Sequence, residues 1–322
     1  MDVKNALRLL VFVLLLGQIT SASAASFPER PVRILVGFPV GTSIDIVCRL
    51  VAQKLGEQWG QSVVVDNRPG AGGNVAGEIV AKARADGHTL LIGNNAYAIS
   101  ATLYRKLPYA PGRDLRAVSQ FTALPHVIVV TNSLPANSLK ELIAFAKAKP
   151  GQLNYGSGGV GNSDHMAAEL FKYMADVNIV HVPYKGGTLA MGDVMTGQVA
   201  MYFSGVPAAM GLIKAGKLKA LGTTGSKRSP ALPDLPTFAE TLPGYEVILW
   251  HGLMAPAGTP KAVMDKIAAD SIRALKLPDV QERLGALGFD AVGSTPPEFE
   301  RFFQSEIAKW GKVITTIGLT AD

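Results

Sequence analysis

Gly37-Phe-Pro-Val-Gly-Thr-Ser-Ile-Asp45 and Gly156-Ser-Gly-Gly-Val-Gly-Asn-Ser-Asp-His165 are two glycine-containing stretches of one kind. The first follows the strand-like segment Val32-Arg-Ile-Leu-Val36, the second Leu153-Asn-Tyr155, and each opens an amphipathic helix. A strand–loop–helix turn aims several backbone N–H groups at one spot, with the positive end of a helix dipole behind them. One such turn is a site for an anionic group. Two of them, set in different halves of an α/β chain, predict a clamp on a small molecule carrying a carboxylate or phosphate.

The segments around the first turn alternate. After the strand at 32–36, apolar residues at 44, 47, 48, 51 and 55 have helical spacing. The strand Ser62-Val-Val-Val-Asp66, the turn Asn67-Arg-Pro-Gly-Ala-Gly-Gly73, a helix over about 74–84 and the strand Thr89-Leu-Leu-Ile-Gly93 follow. A β-α-β-α-β order implies a parallel sheet covered by helices. A second set begins near Pro125 with the strand Val127-Ile-Val-Val130, and Ser138-Leu-Lys-Glu141 is a capping box that opens a helix. The strand at 153–155, a helix over 162–174, the strand Ile179-Val-His-Val182, a helix near 188–195 and the strand Gln198-Val-Ala-Met-Tyr-Phe203 continue it. A short helix near 207–215 and the strand Leu218-Lys-Ala-Leu221 complete it. The strand Val247-Ile-Leu-Trp250 reads as the return crossing, and the tail is helical over 260–276, 278–287 and from Thr295, where Thr295-Pro-Pro-Glu298 is a further capping box. No sequence repeat stands out between the two sets.

The N-terminus carries Lys4 and Arg8, an apolar run from Leu9 to Leu16, and Ser21-Ala-Ser-Ala-Ala-Ser26. This is the pattern of a secretory signal peptide over 1–24, cleaved near Ala24, which places the mature protein in the periplasm. The apolar run falls short of the ~20 residues that a membrane-spanning helix needs. With 322 residues and 48% hydrophobic content, the chain has enough material for two domains. Cys48 is the one cysteine, so no intramolecular disulfide forms, and its spacing places it on the apolar helix face with Ile44, Val47, Val51 and Leu55. The formal charge of +6 is scattered, with no aromatic-basic ladder, and gives no nucleic-acid surface.

Catalytic readings fail on context. Gly156-Ser-Gly-Gly-Val-Gly161 matches the dinucleotide-binding G-x-G-x-x-G, but it lies mid-chain, follows a short polar strand, and has only Asp176 as an acidic partner, at the end of the helix. No G-x-S-x-G occurs, and neither Ser157 nor Ser204 has a nucleophile-elbow context. His88, His126, His165, His181 and His251 are dispersed; His165 and Glu169 share a helix face, but no second ligand pair accompanies them. The expectation is a binding protein, not an enzyme, with no cofactor and no metal. Backbone amides around Gly41-Thr42-Ser43 and from Gly158 to Ser163, including Gly159, Gly161 and Asn162, would hold a carboxylate, helped by the hydroxyls of Ser43, Ser157 and Ser163. Phe38 and His165 flank those groups. Asp45 either caps the helix, Thr42-x-x-Asp45 being capping-box-like, or meets a ligand hydroxyl or amine.

Six ordered blocks carry a family resemblance: Arg30-Pro-Val-Arg-Ile-Leu-Val-Gly-Phe-Pro39, Val64-Val-Asp-Asn-Arg-Pro-Gly-Ala-Gly-Gly73, Asp86-Gly-His-Thr-Leu-Leu91, His181-Val-Pro-Tyr-Lys-Gly186, Arg228-Ser-Pro-Ala-Leu-Pro-Asp-Leu-Pro-Thr237 and Trp250-His-Gly-Leu-Met-Ala-Pro-Ala-Gly-Thr-Pro260. Over about 28–318 the chain resembles the Bug family, the extracytoplasmic receptors of tripartite tricarboxylate transporters. The resemblance implies a two-lobed, type II-like periplasmic-binding-protein fold. Each lobe would be a mostly parallel sheet flanked by helices, with the ligand in the cleft between them. It divides the chain into 25–124 plus 250–322 and 125–249, as a monomer that closes by a hinge on a small organic acid and hands it to integral membrane transporter subunits. A sensory role with the same ligand class stands beside transport. Two departures bear on the ligand. Phe38-Pro-Val-Gly-Thr42 replaces the usual Phe-Pro-Pro-Gly-Gly, putting a β-branched residue where backbone freedom is expected. Ser204 stands where the family commonly carries an aspartate after the Phe, which lowers the expectation of an amino-bearing ligand.

Overall fold

The computed structural model describes residues 27–321, so the signal-peptide reading lies outside the described residues. Among them run ten strands: β1 Val32–Val36, β2 Val63–Asn67, β3 Thr89–Asn94, β4 Leu115–Val130, β5 Asn154–Ser157, β6 Val180–Pro183, β7 Met201–Gly205, β8 Lys219–Thr223, β9 Ile248–Pro256 and β10 Asp290–Ala291. The main helices are α1 Ser43–Trp59, α2 Asn74–Ala81, α3 Asn95–Leu103, α4 Leu139–Ala148, α5 Ser163–Ala175, α6 Gly187–Thr196, α7 Val206–Lys214, α8 Lys261–Leu275, α9 Pro278–Ala286 and α10 Pro296–Ile317.

The strand order β2-β1-β3-β9-β4-β7-β5-β6, with β8 and β10 also on β4, divides the structure into two lobes. In one, β1 pairs in parallel with β2 and β3, and β9 runs antiparallel to β3. In the other, β5 pairs in parallel with β6 and β7, and β4 runs antiparallel to β7 and β8. The lobes are therefore built alike: an outer parallel trio in the order 2-1-3 or 6-5-7, then antiparallel crossing strands. The trio is wound in the same sequence each time, β1-α1-β2-α2-β3-α3 and β5-α5-β6-α6-β7-α7.

β4 serves both lobes. Leu115 to Pro125 pair with β9, and Val127 to Val130 pair with β7 and β8. Its first eleven residues do not read as a strand in sequence because they lack a polar face. Ser119, Gln120 and Thr122 are as buried as Val118 and Phe121, and two register shifts against β9 break the alternation. The helix α3 is missed for a related reason. Ala96, Tyr97, Ala98, Ile99, Ser100 and Leu103 are all buried, so no amphipathic stripe exists. Its start is nonetheless coded: the Asn94 side chain accepts from Ala96 N at 3.1 Å, an N-cap.

The remaining helices follow their patterns. In α1, Ile44, Val47, Cys48, Val51 and Leu55 form the buried stripe, each worth about 1.5–3 kcal/mol of burial for the larger apolar side chains. Cys48 is inert there, its thiol pushed far up by burial. The last helix is pinned by a buried carboxylate. Glu306 Oε2 accepts from Asn95 Nδ2 at 3.2 Å, Trp250 Nε1 at 3.2 Å and Trp310 Nε1 at 3.1 Å, which holds α10 against α3 and β9.

Candidate functional site

In an open α/β sheet, ligands bind beyond the carboxyl ends of the strands, where the order reverses direction. Each lobe has one such point, beside β1 and beside β5, and both open onto a single cleft of about 270 Å³. Its walls come from helix starts. Thr42, Ser43 and Ile44 open α1; Asn94 and Ala96 open α3; Asn162, Ser163 and Asp164 open α5; Gly187 opens α6; Gly205, Pro207 and Ala208 open α7. Phe38, Leu124, His126, Gly158, Tyr202, Leu249 and Phe289 fill the spaces between them. Five helix N-termini thus face one cavity, and no lysine or arginine lines it among the described residues.

The two turns that suggested the clamp share a backbone. Gly41 has φ +83° and Gly161 φ +80°, both left-handed and suited to glycine. Thr42 (−73°, 161°) and Asn162 (−70°, 160°) are the N-caps that follow. A Val-Gly-x-Ser echo, Val40 to Ser43 and Val160 to Ser163, accompanies the match, so the halves do share a short repeat that the longer sequence comparison hides. In each turn the third helical residue reaches back to the glycine: Gly41 N donates to Asp45 Oδ2 at 2.9 Å, and Gly161 N donates to His165 Nδ1 at 3.2 Å. The amides of Ser43 and Ile44, and of Ser163 and Asp164, stand in the first turn of their helices and have no intrahelical acceptor.

Of the residues expected at the site, the structure brings Phe38, Thr42, Ser43, Gly158, Asn162 and Ser163 to the cleft wall. It does not bring Gly41, Asp45, Ser157, Gly159, Gly161, His165 or Ser204 there, and each has other work. Gly41 and Gly161 spend their amides on the side chains just described. Asp45 also accepts from Arg49 Nε at 3.0 Å and Asn67 Nδ2 at 2.9 Å. Burial works to raise its pKa, but the bonds from Arg49, Gly41 and Asn67 outweigh that and hold it below the usual carboxylate range. Asp45 is a structural hub that captures the Gly41 amide, not the Thr42 amide of a capping box. Thr42 Oγ1 meanwhile donates to Pro39 O at 2.8 Å, and its extended backbone makes the threonine an easy replacement for glycine. Ser157 is buried against His181 Nε2 at 2.6 Å and also accepts from Gly159 N at 3.2 Å. His165 packs against the ring of His181, which stacks in turn on Tyr155, and burial, with His181 beside it, lowers its pKa to about 4, so it is neutral. Ser204 Oγ donates to Gly205 O at 3.0 Å.

The structure adds residues that the sequence reading passed over. Asp164 sits inside the second quoted turn: Gly158 N donates to it at 2.6 Å, His165 N at 2.9 Å, and the Tyr202 hydroxyl bonds to it as well. Burial nevertheless raises its pKa. Gly187 follows the block ending in Gly186, the nearest sequence signal to it. A Cβ there would lie 2.0 Å from Tyr202 Oη, so this helix start must be glycine.

Behind Ser43, its hydroxyl meets His251 Nε2 at 3.3 Å, and His251 Nδ1 meets Thr122 Oγ1 at 2.7 Å. Thr122 is fully buried with no other side-chain partner, so its hydroxyl proton goes to Nδ1. That leaves the imidazole proton on Nε2, donating to Ser43 Oγ, and frees the Ser43 hydroxyl proton for the cleft. Burial lowers the His251 pKa to about 3, which keeps this neutral arrangement in place.

A two-lobed α/β protein with a cleft of helix N-termini defines a class, the periplasmic solute-binding receptors. The chain belongs to the tripartite tricarboxylate transporter receptor family, whose model matches residues 47–319. Its Bug branch is represented by the structure of the periplasmic binding protein BugD, 32% identical, which superposes with a TM-score of 0.80 over 91% of this chain and 99% of that one. Rpa4515 from R. palustris, determined with adipate, is 37% identical, with a TM-score of 0.82 over 91% of this chain and 99% of that one. MatC from Rhodopseudomonas palustris, with bound malate, is 32% identical, with a TM-score of 0.79 over 89% of this chain and all of that one.

Proposed function

We propose that this protein is a non-enzymatic periplasmic receptor that captures a small carboxylate between its lobes and delivers it to a membrane transporter. The observation that carries this reading is the cleft itself, where five helix N-termini converge with no cationic side chain on the wall. Such a site favours an anion through oriented N–H groups and helix dipoles. The amides of Ser43, Ile44, Ser163 and Asp164 and the hydroxyls of Ser43 and Ser163 are the donors. In this reading residues 1–24 are the export signal. The lobes, 25–124 with 250–322 and 125–249, close about the crossing strands β4 and β9 as a monomer. The hydrogen-bond order behind Ser43 supports binding over catalysis, because His251 presents a proton to that oxygen and offers it no base. The adipate and malate bound to two relatives support the ligand class.

The experiment is a thermal-shift and calorimetry panel of mono-, di- and tricarboxylates on native protein and on Gly158→Val. A Cβ at Gly158 would lie 3.1 Å from Gly187 N and 3.2 Å from Asn162 Nδ2 and Asp164 Oδ2, inside the donor cluster. Native protein should bind at least one acid, and the variant should lose affinity by about 100-fold, a cost of about 2.7 kcal/mol, with its fold retained. Unchanged affinity in Gly158→Val would remove the second turn from the site, and release of a chemically altered acid would replace the receptor with an enzyme.

A further inference from the structure

Among the described residues, His126 is the buried polar side chain on the cleft wall whose hydrogen-bonding groups are all unused. It stands on β4 where the strand passes between lobes, 3% exposed, and neither Nδ1 nor Nε2 has a partner. The carbonyls of Phe203 and Ser204 lie near the ring and favour its charged form slightly, without making a hydrogen bond of good geometry. Its backbone, by contrast, is fixed, with N donating to Thr224 Oγ1 at 2.8 Å and O accepting from Thr224 N at 2.8 Å. A buried imidazole with two idle nitrogens is costly to keep unless something else pairs with it.

The surroundings select that partner. Leu124, Leu249, Pro207, Ala208 and Phe289 give the wall around the crossing strands an apolar character. His126 pairs across the sheet with Gly205, the N-cap of α7, but Pro207 has no N–H, so that helix start is short of a donor. Burial keeps the imidazole neutral, with a pKa lowered to about 4. A neutral imidazole offers one N–H and one bare nitrogen. A ligand hydroxyl pairs with either, since it both donates and accepts. A second carboxylate accepts only, and it would enter a region without lysine or arginine.

We propose that His126 reads a hydroxyl on the part of the ligand remote from its carboxylate, so that the cleft prefers hydroxy-monocarboxylates to the corresponding plain acids and dicarboxylates. This rests on the receptor reading above and narrows its ligand class. Two series isolate the remote group at constant chain length: butyrate, 4-hydroxybutyrate and succinate, and hexanoate, 6-hydroxyhexanoate and adipate. Calorimetric titration of the mature protein should give a hydroxy acid at least tenfold tighter binding than both partners in its series. His126→Phe keeps an aromatic ring and removes both nitrogens; it should cut that preference below threefold. Tightest binding of succinate or adipate, equal binding within both series, or a preference that survives in His126→Phe overturns the inference and leaves the receptor standing. If none of the six acids binds, native or variant, the carboxylate reading beneath it falls as well.

Discussion

The turn from Gly41 to Asp45 and the turn from Gly161 to His165 have the same backbone and different charge. In both, a glycine with φ near +80° hands its amide to the third helical side chain. In the first that side chain is an ionised carboxylate, bound to Arg49 at 3.0 Å. In the second it is a neutral imidazole among aromatic rings. What the geometry requires is an acceptor at that position, not a charge. The two lobes can therefore build one anion-facing turn from different chemistry, and the field in the cleft can be tuned without remaking the backbone. Arg49 also offsets a charge that would otherwise weaken the positive end of α1.

The largest test of this comparison is Asp45→Ala. It strips Arg49, Asn67 and the Gly41 amide of a shared partner; Arg49 is half-exposed and screened, so the cost is that of the bonds to a buried carboxylate, about 1.5–3 kcal/mol. Since the folded pKa of Asp45 is depressed, its contribution is fully present above the unfolded value of about 3.9 and is lost as pH falls through the folded value. Urea denaturation should show the full deficit at pH 7 and a shrinking one below pH 4. A deficit that does not shrink would mean Asp45 acts by packing and not by charge.

A middle-sized test compares the two glycines. Both need the left-handed conformation, so alanine at either costs about 1 kcal/mol. At Gly41 an added Cβ meets nothing within 4 Å, while at Gly161 it lies 2.6 Å from Leu103 Cδ2, which adds about 1 kcal/mol or more of overpacking. Gly161→Ala should therefore be the less stable variant in chemical denaturation. Equal losses would mean that Leu103 swings aside freely.

These turns were legible because glycine, small polar caps and apolar spacing are local signals. The parallel trios, the α1 stripe with Cys48 and the helix start at Ser138 are legible for the same reason; the Ser138 hydroxyl accepts from Glu141 N at 3.2 Å, but the Glu141 carboxylate takes Asn137 N and not the Ser138 amide of a full capping box. What escaped reading is what two-sided burial or distance hides. The first part of β4 and all of α3 have no polar face to give periodicity. His126 and Asp164 look like ordinary polar residues until β4 and α5 carry them to the same cavity. Within the quoted turns, the expected donors Gly41 and Gly161 proved to be committed inward, because an acceptor four residues on competes with any ligand.

The smallest expected effect at neutral pH is also the most pointed test of whether the second turn needs only an acceptor. Glutamine at position 165 keeps a side-chain oxygen at the third helical residue, from which it reaches back to the preceding amides as in a capping box. His165→Gln should cost less than about 1 kcal/mol at pH 7, in the range of one ordinary hydrogen bond. Its pH response should have the same sign as that of the first turn but fall in a higher pH window. The folded pKa of His165 is depressed to about 4 against an ordinary value of about 6.5, so the native protein loses stability as pH falls between those values, where only the unfolded chain takes up the proton. The glutamine variant lacks that proton uptake, and its deficit relative to native should narrow or reverse from pH 7 to pH 5. Asp45→Ala should show no such change over the same interval. A His165→Gln deficit that stays constant down to pH 5 would mean that His165 is not the neutral acceptor of the second turn, and the likeness of the two turns would then reduce to backbone shape alone.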